Sequence, residues 1–131
     1  MINDVISDMI IRITNAYTIK HKTVIIPYSK LLKDIAIILK QEGLIKNIQI
    51  YKKKFKVILI FLKYTDTEFK PVFNKIVRVS KPGLRIYCNK NTLPNQSNNS
   101  GVIILSSSKG IITNRQAKKL NVGGEILCYI L

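Results

Sequence analysis

The chain has 131 residues, of which 22 are Lys or Arg and 7 are Asp or Glu, and its net charge at pH 7 is +15. Its hydrophobic content of 47% excludes a disordered tail. No apolar run approaches the ~20 residues that a membrane-spanning helix needs. Ten Lys or Arg and no acidic residue lie between Glu68 and Glu125. A field of one sign opposes folding unless a polyanion neutralises it, so a nucleic acid is the favoured partner and a membrane surface is not.

Apolar periodicity predicts two helices and three strands in the first half of the chain. Residues 3–17 and 30–42 repeat apolar side chains every three or four positions, which is the helical pattern. Residues 22–27 form a short β-branched run that ends at a proline, which predicts a strand. Residues 44–51 and 55–64 are apolar runs on either side of a lysine cluster, which predicts a hairpin with a basic tip.

The second half is predicted to be mostly β. A polar break at residues 65–70 separates two lobes, 1–66 and 67–131. In the second lobe we predict strands at 72–80, 84–88, 102–105 and 125–131, a turn at 81–83, a loop at 89–101 and a helix at 113–120. Helices and strands that do not alternate strictly predict an α+β fold made of two small lobes, an N-terminal helix-strand-helix-strand-strand lobe and a mainly β C-terminal lobe.

The sequence offers little for catalysis. The only histidine, His21, stands in a lysine-rich loop, and neither GxxxxGK[ST] nor GxGxxG is present. Cys88 and Cys128 are 40 residues apart without a CxxC motif, so we expect two buried, reduced thiols, with a disulfide as the alternative. We therefore predict a protein that is not an enzyme and that has no cofactor, no metal site and no small-molecule substrate.

The strongest local signal for nucleic-acid binding is the hydroxyl run Ser106, Ser107 and Ser108, which precedes Gly110. Hydroxyls donate and accept hydrogen bonds, so they suit the RNA 2′-hydroxyl and the edges of unpaired bases. Thr113 is predicted to cap the following helix, whose first amides suit a phosphate. The alternative is a polar strand end that leads into a turn. A serine nucleophile is a more distant alternative, since the chain offers scarcely any base to activate it.

A second signal lies in the strand predicted at 84–88. Strand alternation places Arg85 and Tyr87 on one face, opposite Leu84 and Ile86. Tyr87 is therefore predicted to stack on an unpaired base while Arg85 or Lys90 contacts the RNA backbone. The alternative for Tyr87 is a position in the core or between the lobes.

Glu125 and Lys30 complete the predicted RNA-binding set. Glu125 is the only acid after Glu68, and a carboxylate can accept hydrogen bonds from the exocyclic amines of bases. The alternative is a salt bridge to a cation of the preceding helix, namely Arg115, Lys118 or Lys119. Lys30 begins the second predicted helix and is assigned to RNA binding as a cation.

Four segments, taken together, resemble the small-subunit ribosomal protein eight family. The chain opens with NDVISDMIIRITNA, and its second helix and the following glycine read IPYSKLLKDIAIILKQEGLI. The second lobe contains VSKPGLRIY and ends with LSSSKGIITNRQAKKLNVGGEILCYIL. The family has Thr where this chain has Ser107. Its Met-Thr-Asp corresponds here to Ile112, Thr113 and Asn114, so the Met and the Asp are replaced. The resemblance covers nearly the whole chain.

The resemblance implies a two-lobed α+β protein that binds the central domain of small-subunit ribosomal RNA and helps to assemble the platform. It also implies contacts with the neighbouring small-subunit proteins five and twelve. The implied RNA contacts come from a turn at Gly124 and Glu125 and from Ser106, Ser107, Ser108, Gly110 and Tyr87. A free-standing RNA-binding translational regulator is the alternative function.

Composition and the C-terminus give an expectation about origin. Ile, Lys and Asn, whose codons are rich in A and T, are abundant, which is typical of an AT-biased genome. The ending LCYI resembles plastid members of the family. We therefore expect a ribosome of a plastid, with the cytoplasm of an AT-rich bacterium as the alternative.

Overall fold

The computed structural model describes residues 4–92 and 101–131, and their secondary structure confirms the predicted α+β class. The described helices are α1 (Val5–Thr18), α2 (Lys30–Gln41) and α3 (Asn114–Leu120). The described strands are β1 (Thr23–Pro27), β2 (Asn47–Lys52), β3 (Lys56–Phe61), β4 (Ile76–Arg78), β5 (Tyr87–Cys88), β6 (Val102–Ser107), β7 (Gly110–Thr113) and β8 (Gly124–Ile130). None of the described helices is long and apolar enough to cross a membrane. The predicted loop at 89–101 falls largely on residues 93–100, outside the described ones.

The first compact unit, residues 4–74, is a three-stranded antiparallel sheet with α1 and α2 packed on one face. β3 lies between β1 and β2, and the register places Ile26 beside Ile58 and Val24 beside Ile60. Full burial of such a side chain contributes about 1.5–3 kcal/mol. The largest fully enclosed apolar side chains of this core are Met9, Ile13, Ile26, Ile58 and Ile60.

Local hydrogen bonds fix the ends of both helices of this unit. The Asp4 carboxylate accepts a hydrogen bond from the Ser7 amide at 3.2 Å, and Ser29 Oγ accepts one from the Leu32 amide at 3.1 Å. Each side chain satisfies one of the amides that the first turn of a helix leaves unpaired. Gly43 ends α2 with a φ of +74°, a left-handed conformation that favours glycine.

The other face of this sheet is open and apolar. Residues paired across an antiparallel sheet point to the same face, so Ile25 and Leu59 share this face with Val57 and Tyr51. Ile25 is 56% exposed and Tyr51 is 45% exposed. An antiparallel sheet with one solvated face normally carries polar residues there, so this face departs from the usual pattern.

An aromatic cluster joins residues 64–73 to the first unit. The Tyr17 ring makes edge contacts with Tyr64 and Phe73, each with 5.2 Å between ring centroids, and Phe69 stacks on Tyr64 at 4.3 Å. Burial raises the pKa of Tyr17, which keeps its phenol neutral.

The two predicted lobes, 1–66 and 67–131, stay a prediction. In the structure these contacts keep the segment up to Asn74 with the first unit.

The second unit, residues 75–131, is built around β8. β6 pairs with one edge of β8, β4 and β5 pair with the other edge, and β7 pairs with the far side of β6. All these pairs are antiparallel. The predicted helix at 113–120 is confirmed as α3, with Thr113 as its cap. The apolar cluster that includes a residue of α3 consists of Ile103, Leu105, Ile112 and Ala117.

The two cysteines of this unit are free thiols, and only one of them is buried as predicted. Cys128 lies in the core, while Cys88 is half-buried at the edge of the apolar cluster. Burial raises the pKa of Cys128 to about 12, so its thiol stays protonated at neutral pH.

The strands predicted at 72–80 and 84–88 form only in part, and the turn predicted at 81–83 is present. The strands that form, β4 and β5, are shorter, and both pair with β8 rather than with each other. The predicted turn lies within residues 81–85, where the chain loops out, and Lys81 and Leu84 exchange two backbone hydrogen bonds of 2.9 Å. Because this segment is not a continuous strand, Leu84 is 66% exposed and Ile86 is 37% exposed instead of facing away from Tyr87 into a core.

Candidate nucleic-acid interface

Three neighbouring strands bring three predicted RNA-binding residues into one row. Glu125 of β8 pairs with Tyr87 of β5 on one side and with Ser106 of β6 on the other. Cross-strand partners point to the same face of a sheet, so the phenol, the carboxylate and the hydroxyl are presented together. Adjacent strands are ~4.8 Å apart, so the row spans about 10 Å, which is the scale of a nucleotide.

The predicted turn at Gly124 and Glu125 is wrong, because both residues belong to β8. A Cβ on Gly124 would stand 2.3 Å from the Ser106 carbonyl oxygen, and one on Gly123 would stand 2.3 Å from that of Cys88. Contacts this short do not occur for real Cβ atoms. The two glycines therefore let three backbones meet closely at the start of β8.

The three serines differ in how their hydroxyls are used. Ser107 Oγ donates to the Gly110 carbonyl at 3.0 Å and accepts from the Lys109 amide at 3.1 Å, so it is committed to the β6–β7 turn. Gly110 has a φ of +100°, which a residue with a side chain rarely adopts. Within residues 4–92 and 101–131, the hydroxyls of Ser106 and Ser108 have no hydrogen-bond partner. They remain available to a ligand.

Glu125 forms an ion pair, but with a partner that the sequence did not suggest. Arg85 Nη1 donates to Glu125 Oε2 at 3.1 Å, in place of the expected Arg115, Lys118 or Lys119. The Glu125 side chain is 18% exposed and that of Arg85 is 46% exposed, so the carboxylate is the more enclosed group. Since Glu125 is the only acid of the second unit, this pair offsets the one negative charge of the site.

Ser106, Glu125 and Tyr87 border an open groove of about 600 Å³. Tyr87, which is 69% exposed, forms one side of it, and Lys90 adds a cation. Asn121 lies at the C-terminal end of α3 with a φ of +59°, a left-handed conformation that Asn tolerates. The remaining lining residues come from the segment after β5, from the end of β6 and the turn after it, and from the segment after α3 and the start of β8; they are Asn89, Ser106, Ser107, Ser108, Val122, Gly123, Gly124 and Glu125.

Four predicted residues do not line this groove, namely Lys30, Arg85, Gly110 and Thr113. Thr113 is 2% exposed, and it forms a capping box in which its Oγ accepts from the Gln116 amide at 3.2 Å. Its hydroxyl is therefore occupied in the fold and does not face a ligand. Lys30 belongs to the first unit, where it is exposed at the first position of α2.

Sequence reasoning missed four groove residues, namely Asn89, Asn121, Val122 and Gly123. The signal for three of them is the segment Asn-Val-Gly-Gly after the basic helix, since Asn and Gly tolerate left-handed backbone and close approach. No local signal marks Asn89, because it enters the groove only through the pairing of β5 with a strand more than 30 residues later. In the described part of the chain, no group of three or more His, Cys, Asp or Glu could hold a metal ion.

Free hydroxyls, an exposed tyrosine and nearby cations around an acid-poor groove are typical of a nucleic-acid-binding protein. The sequence pattern of the ribosomal protein S8 family matches residues 4–131. The small ribosomal subunit protein uS8c of Phaeodactylum tricornutum is 53% identical over 131 residues, which are 99% of this chain and 99% of that protein. The protein uS8 of Crocosphaera subtropica is 45% identical over 129 residues, 98% of this chain and 97% of that protein. The chain therefore belongs to the ribosomal protein S8 family.

Family membership confirms the resemblance inferred from the four sequence segments. It also confirms that the chain is a ribosomal protein rather than an enzyme. The relatives are of both the plastid and the bacterial type; a further one, uS8 of Clostridium novyi, is 44% identical over 131 residues, 99% of this chain and 98% of that protein. The comparisons thus support a ribosome of a plastid or of a bacterium.

Proposed function

We propose that this chain is a structural protein of the small ribosomal subunit that binds small-subunit ribosomal RNA in the groove beside β8. The observation that carries the proposal is the row Ser106–Glu125–Tyr87, flanked by the free hydroxyl of Ser108. It combines donors, acceptors and an aromatic surface, and these groups read unpaired RNA better than duplex.

Each group in the groove has a distinct task in this proposal. The hydroxyls of Ser106 and Ser108 hydrogen-bond to base edges or to a 2′-hydroxyl, which distinguishes RNA from DNA. Tyr87 stacks on an unpaired base, and Lys90 and Arg85 attract phosphates. Glu125 accepts from an exocyclic amine and thereby contributes specificity rather than affinity.

The target that the family resemblance favours is the central domain of the small-subunit RNA, where binding would help to assemble the platform. Plastid-type relatives at 50–53% identity support a plastid ribosome as the location. The second candidate, a free-standing translational regulator, has the same groove chemistry. Co-sedimentation with small subunits at near-physiological salt separates the two, because a free regulator stays in the supernatant.

The neighbouring proteins five and twelve are the proposed protein partners, and the open face of the first sheet supports such contacts. Ile25, Val57, Leu59 and Tyr51 line a groove of about 480 Å³ there, beside Lys53 and Lys54. Its three aliphatic side chains, Ile25, Val57 and Leu59, offer no hydrogen bond to a nucleic acid, and two aromatic rings, Tyr51 and Phe55, complete the apolar lining. A protein segment with apolar residues flanked by carboxylates complements both the surface and its charge.

The serine hydroxyls provide the direct test of the groove. Ser106→Ala combined with Ser108→Ala should weaken binding to the central-domain RNA by about 1–3 kcal/mol, since each hydrogen bond contributes roughly 0.5–1.5 kcal/mol. Binding to a scrambled hairpin of equal length should change little. Filter binding measures the affinity, and thermal unfolding of the free protein should be unchanged.

Ser107→Ala is the matched control, because its hydroxyl is used within the turn. This variant should lower protein stability by about 0.5–1.5 kcal/mol and affect RNA affinity less than the double variant does. Unchanged affinity in the double variant, or an equal loss on scrambled RNA, would contradict the assignment of the groove.

A further inference from the structure

The edge of the sheet that carries Tyr87 is interrupted just before the groove. Residues 81–85 loop out between β4 and β5, and the chain rejoins β8 at Ile86. The Ser80 amide donates to the Ile126 carbonyl at 3.1 Å, and the Ile126 amide donates to the Ile86 carbonyl at 2.9 Å. In an uninterrupted antiparallel strand, one residue would make both bonds. Here Ser80 and Ile86 share that task across the interruption.

The Ser80 side chain closes the gap. Its Oγ accepts a hydrogen bond from the Ile86 amide at 2.8 Å and donates one to the Ile86 carbonyl at 3.1 Å. Ser80 is 0% exposed, so no water replaces these bonds. A buried hydroxyl bonded to both backbone groups of one residue fixes that residue in place, because leaving either group unpaired is costly.

Of the two residues beside Ile86, Tyr87 lines the groove and Arg85 pairs with the acid that lines it. Arg85 precedes it and holds Glu125 at 3.1 Å, and Tyr87 follows it and pairs with Glu125. The side chains of Leu84, Arg85 and Tyr87 are exposed, so no enclosing core holds them in place. The position of Arg85 and Tyr87 therefore depends on where Ile86 is fixed. Interruptions of this kind next to binding sites redirect side chains.

We infer that Ser80 is a positioning residue for the RNA groove. Its buried hydroxyl holds the Ile86 backbone at the edge of β8 by two hydrogen bonds, and this places Arg85 and Tyr87 beside Glu125. The inference rests on the proposed RNA-binding function for its effect on affinity. Its structural part, the hydrogen bonding of Ile86 by Ser80, is measurable without RNA.

The first test is amide hydrogen exchange, followed by NMR in the unmodified free protein. The Ile86 amide should be protected to a similar degree as the Ile126 amide, although Ile86 lies outside the strands. The exposed Arg85 amide should exchange much faster. Exchange of Ile86 as fast as that of Arg85 would overturn the inference, and this result does not depend on any variant folding or on any RNA.

The second test is a double-mutant cycle on binding to the central-domain RNA. Ser80→Ala should raise Ile86 exchange and reduce affinity about tenfold, while the Leu105 amide of β6 keeps its protection. In a Tyr87→Ala, Arg85→Ala background, Ser80→Ala should have almost no further effect on affinity, since the residues it positions are gone. An equal loss in both backgrounds would show that Ser80 acts only on general stability and would overturn the inference. Ser80→Thr, which keeps a hydroxyl, serves as the second variant and should retain Ile86 protection.

The outcomes separate the inference from the function on which it rests. If the unmodified protein shows no preference for ribosomal RNA while the Ile86 amide is protected, the proposed function fails and the role of Ser80 in holding Ile86 stands. If RNA binding is specific but Ile86 exchanges freely, the function stands and the role of Ser80 fails.

Discussion

At the scale of single residues, identical side chains have different tasks in this site. Ser106, Ser107 and Ser108 are indistinguishable by residue type, yet the turn at Lys109 and Gly110 occupies the middle hydroxyl and leaves the other two free. The sequence indicated the hydroxyl run as a candidate site. It did not indicate which hydroxyls stay free of bonds within the fold, because that depends on the geometry of the turn after β6.

Tyr87 carries the prediction that belongs to this scale. With 69% of its surface exposed, it is not a core residue, and its replacement by Ala should not destabilise the protein appreciably. Tyr87→Ala should weaken binding to the central-domain RNA by about 1–3 kcal/mol if the ring stacks on a base. Isothermal titration calorimetry measures this change. Tyr87→Phe is the control, because it keeps the ring; a loss as large as that of Tyr87→Ala would assign the contribution to the phenol instead.

At the scale of elements, local signals predicted the helices well. α2 begins after Ser29 and ends before Gly43, where the cap and the left-handed glycine stand in the sequence itself. The stripe of apolar residues along α1 likewise predicted its buried face. These features depend on residues within a turn or two of one another, so they can be recognised from sequence alone.

Strand pairing was predicted less well, because it depends on distant residues. Pro82 and Gly83 indicate a turn, but they do not show that β4 and β5 both pair with β8. The paired residues of β8 lie more than 30 residues later in the chain. No strand was predicted at residues 110–113, where β7 lies. A four-residue segment that begins with a glycine is too short to show a periodic pattern. β7 forms because the chain turns after β6 and pairs back with it.

The open sheet face gives the prediction at this scale. Ile25→Glu places a negative charge among the apolar side chains that are proposed to receive an acidic protein segment. It should reduce association with the purified neighbouring proteins five and twelve about tenfold or more while leaving RNA affinity unchanged. Pull-down with each purified protein measures this.

Ile11→Glu is the matched control for that experiment, since Ile11 is 57% exposed on α1 and Ile25 is 56% exposed on β1. Both variants add one charge at an equally exposed isoleucine. Equal loss in the two variants would assign the effect to net charge, and no loss with Ile25→Glu would remove the sheet face from the proposed protein contacts.

At the scale of the whole molecule, charge is the property that the sequence reports most directly. Nine Lys or Arg and one acid occur from Lys75 to the C-terminus, and the one acid is paired with Arg85. This distribution predicts a polyanionic partner without any knowledge of the fold. The α+β class follows from the order of elements, whereas the groove requires the three-strand row at the start of β8.

Charge alone cannot distinguish specific recognition from general attraction to phosphates. Lysine–phosphate contacts release counterions, so affinity for any RNA should fall as salt rises. The hydroxyls and the tyrosine of the groove act at short range and are much less sensitive to salt. Specific binding should therefore persist at salt concentrations that abolish binding to unrelated RNA.

The most direct test of the account is equilibrium binding of the purified chain to the central-domain helix of small-subunit ribosomal RNA and to a scrambled hairpin, over a range of salt. The account predicts a preference of at least about a hundredfold, or ~2.7 kcal/mol, for the ribosomal sequence at near-physiological salt. It also predicts that this preference falls in the Ser106→Ala, Ser108→Ala variant. Equal affinity for both RNAs, declining together with salt, would contradict the proposed groove and leave only a general attraction between lysines and phosphates.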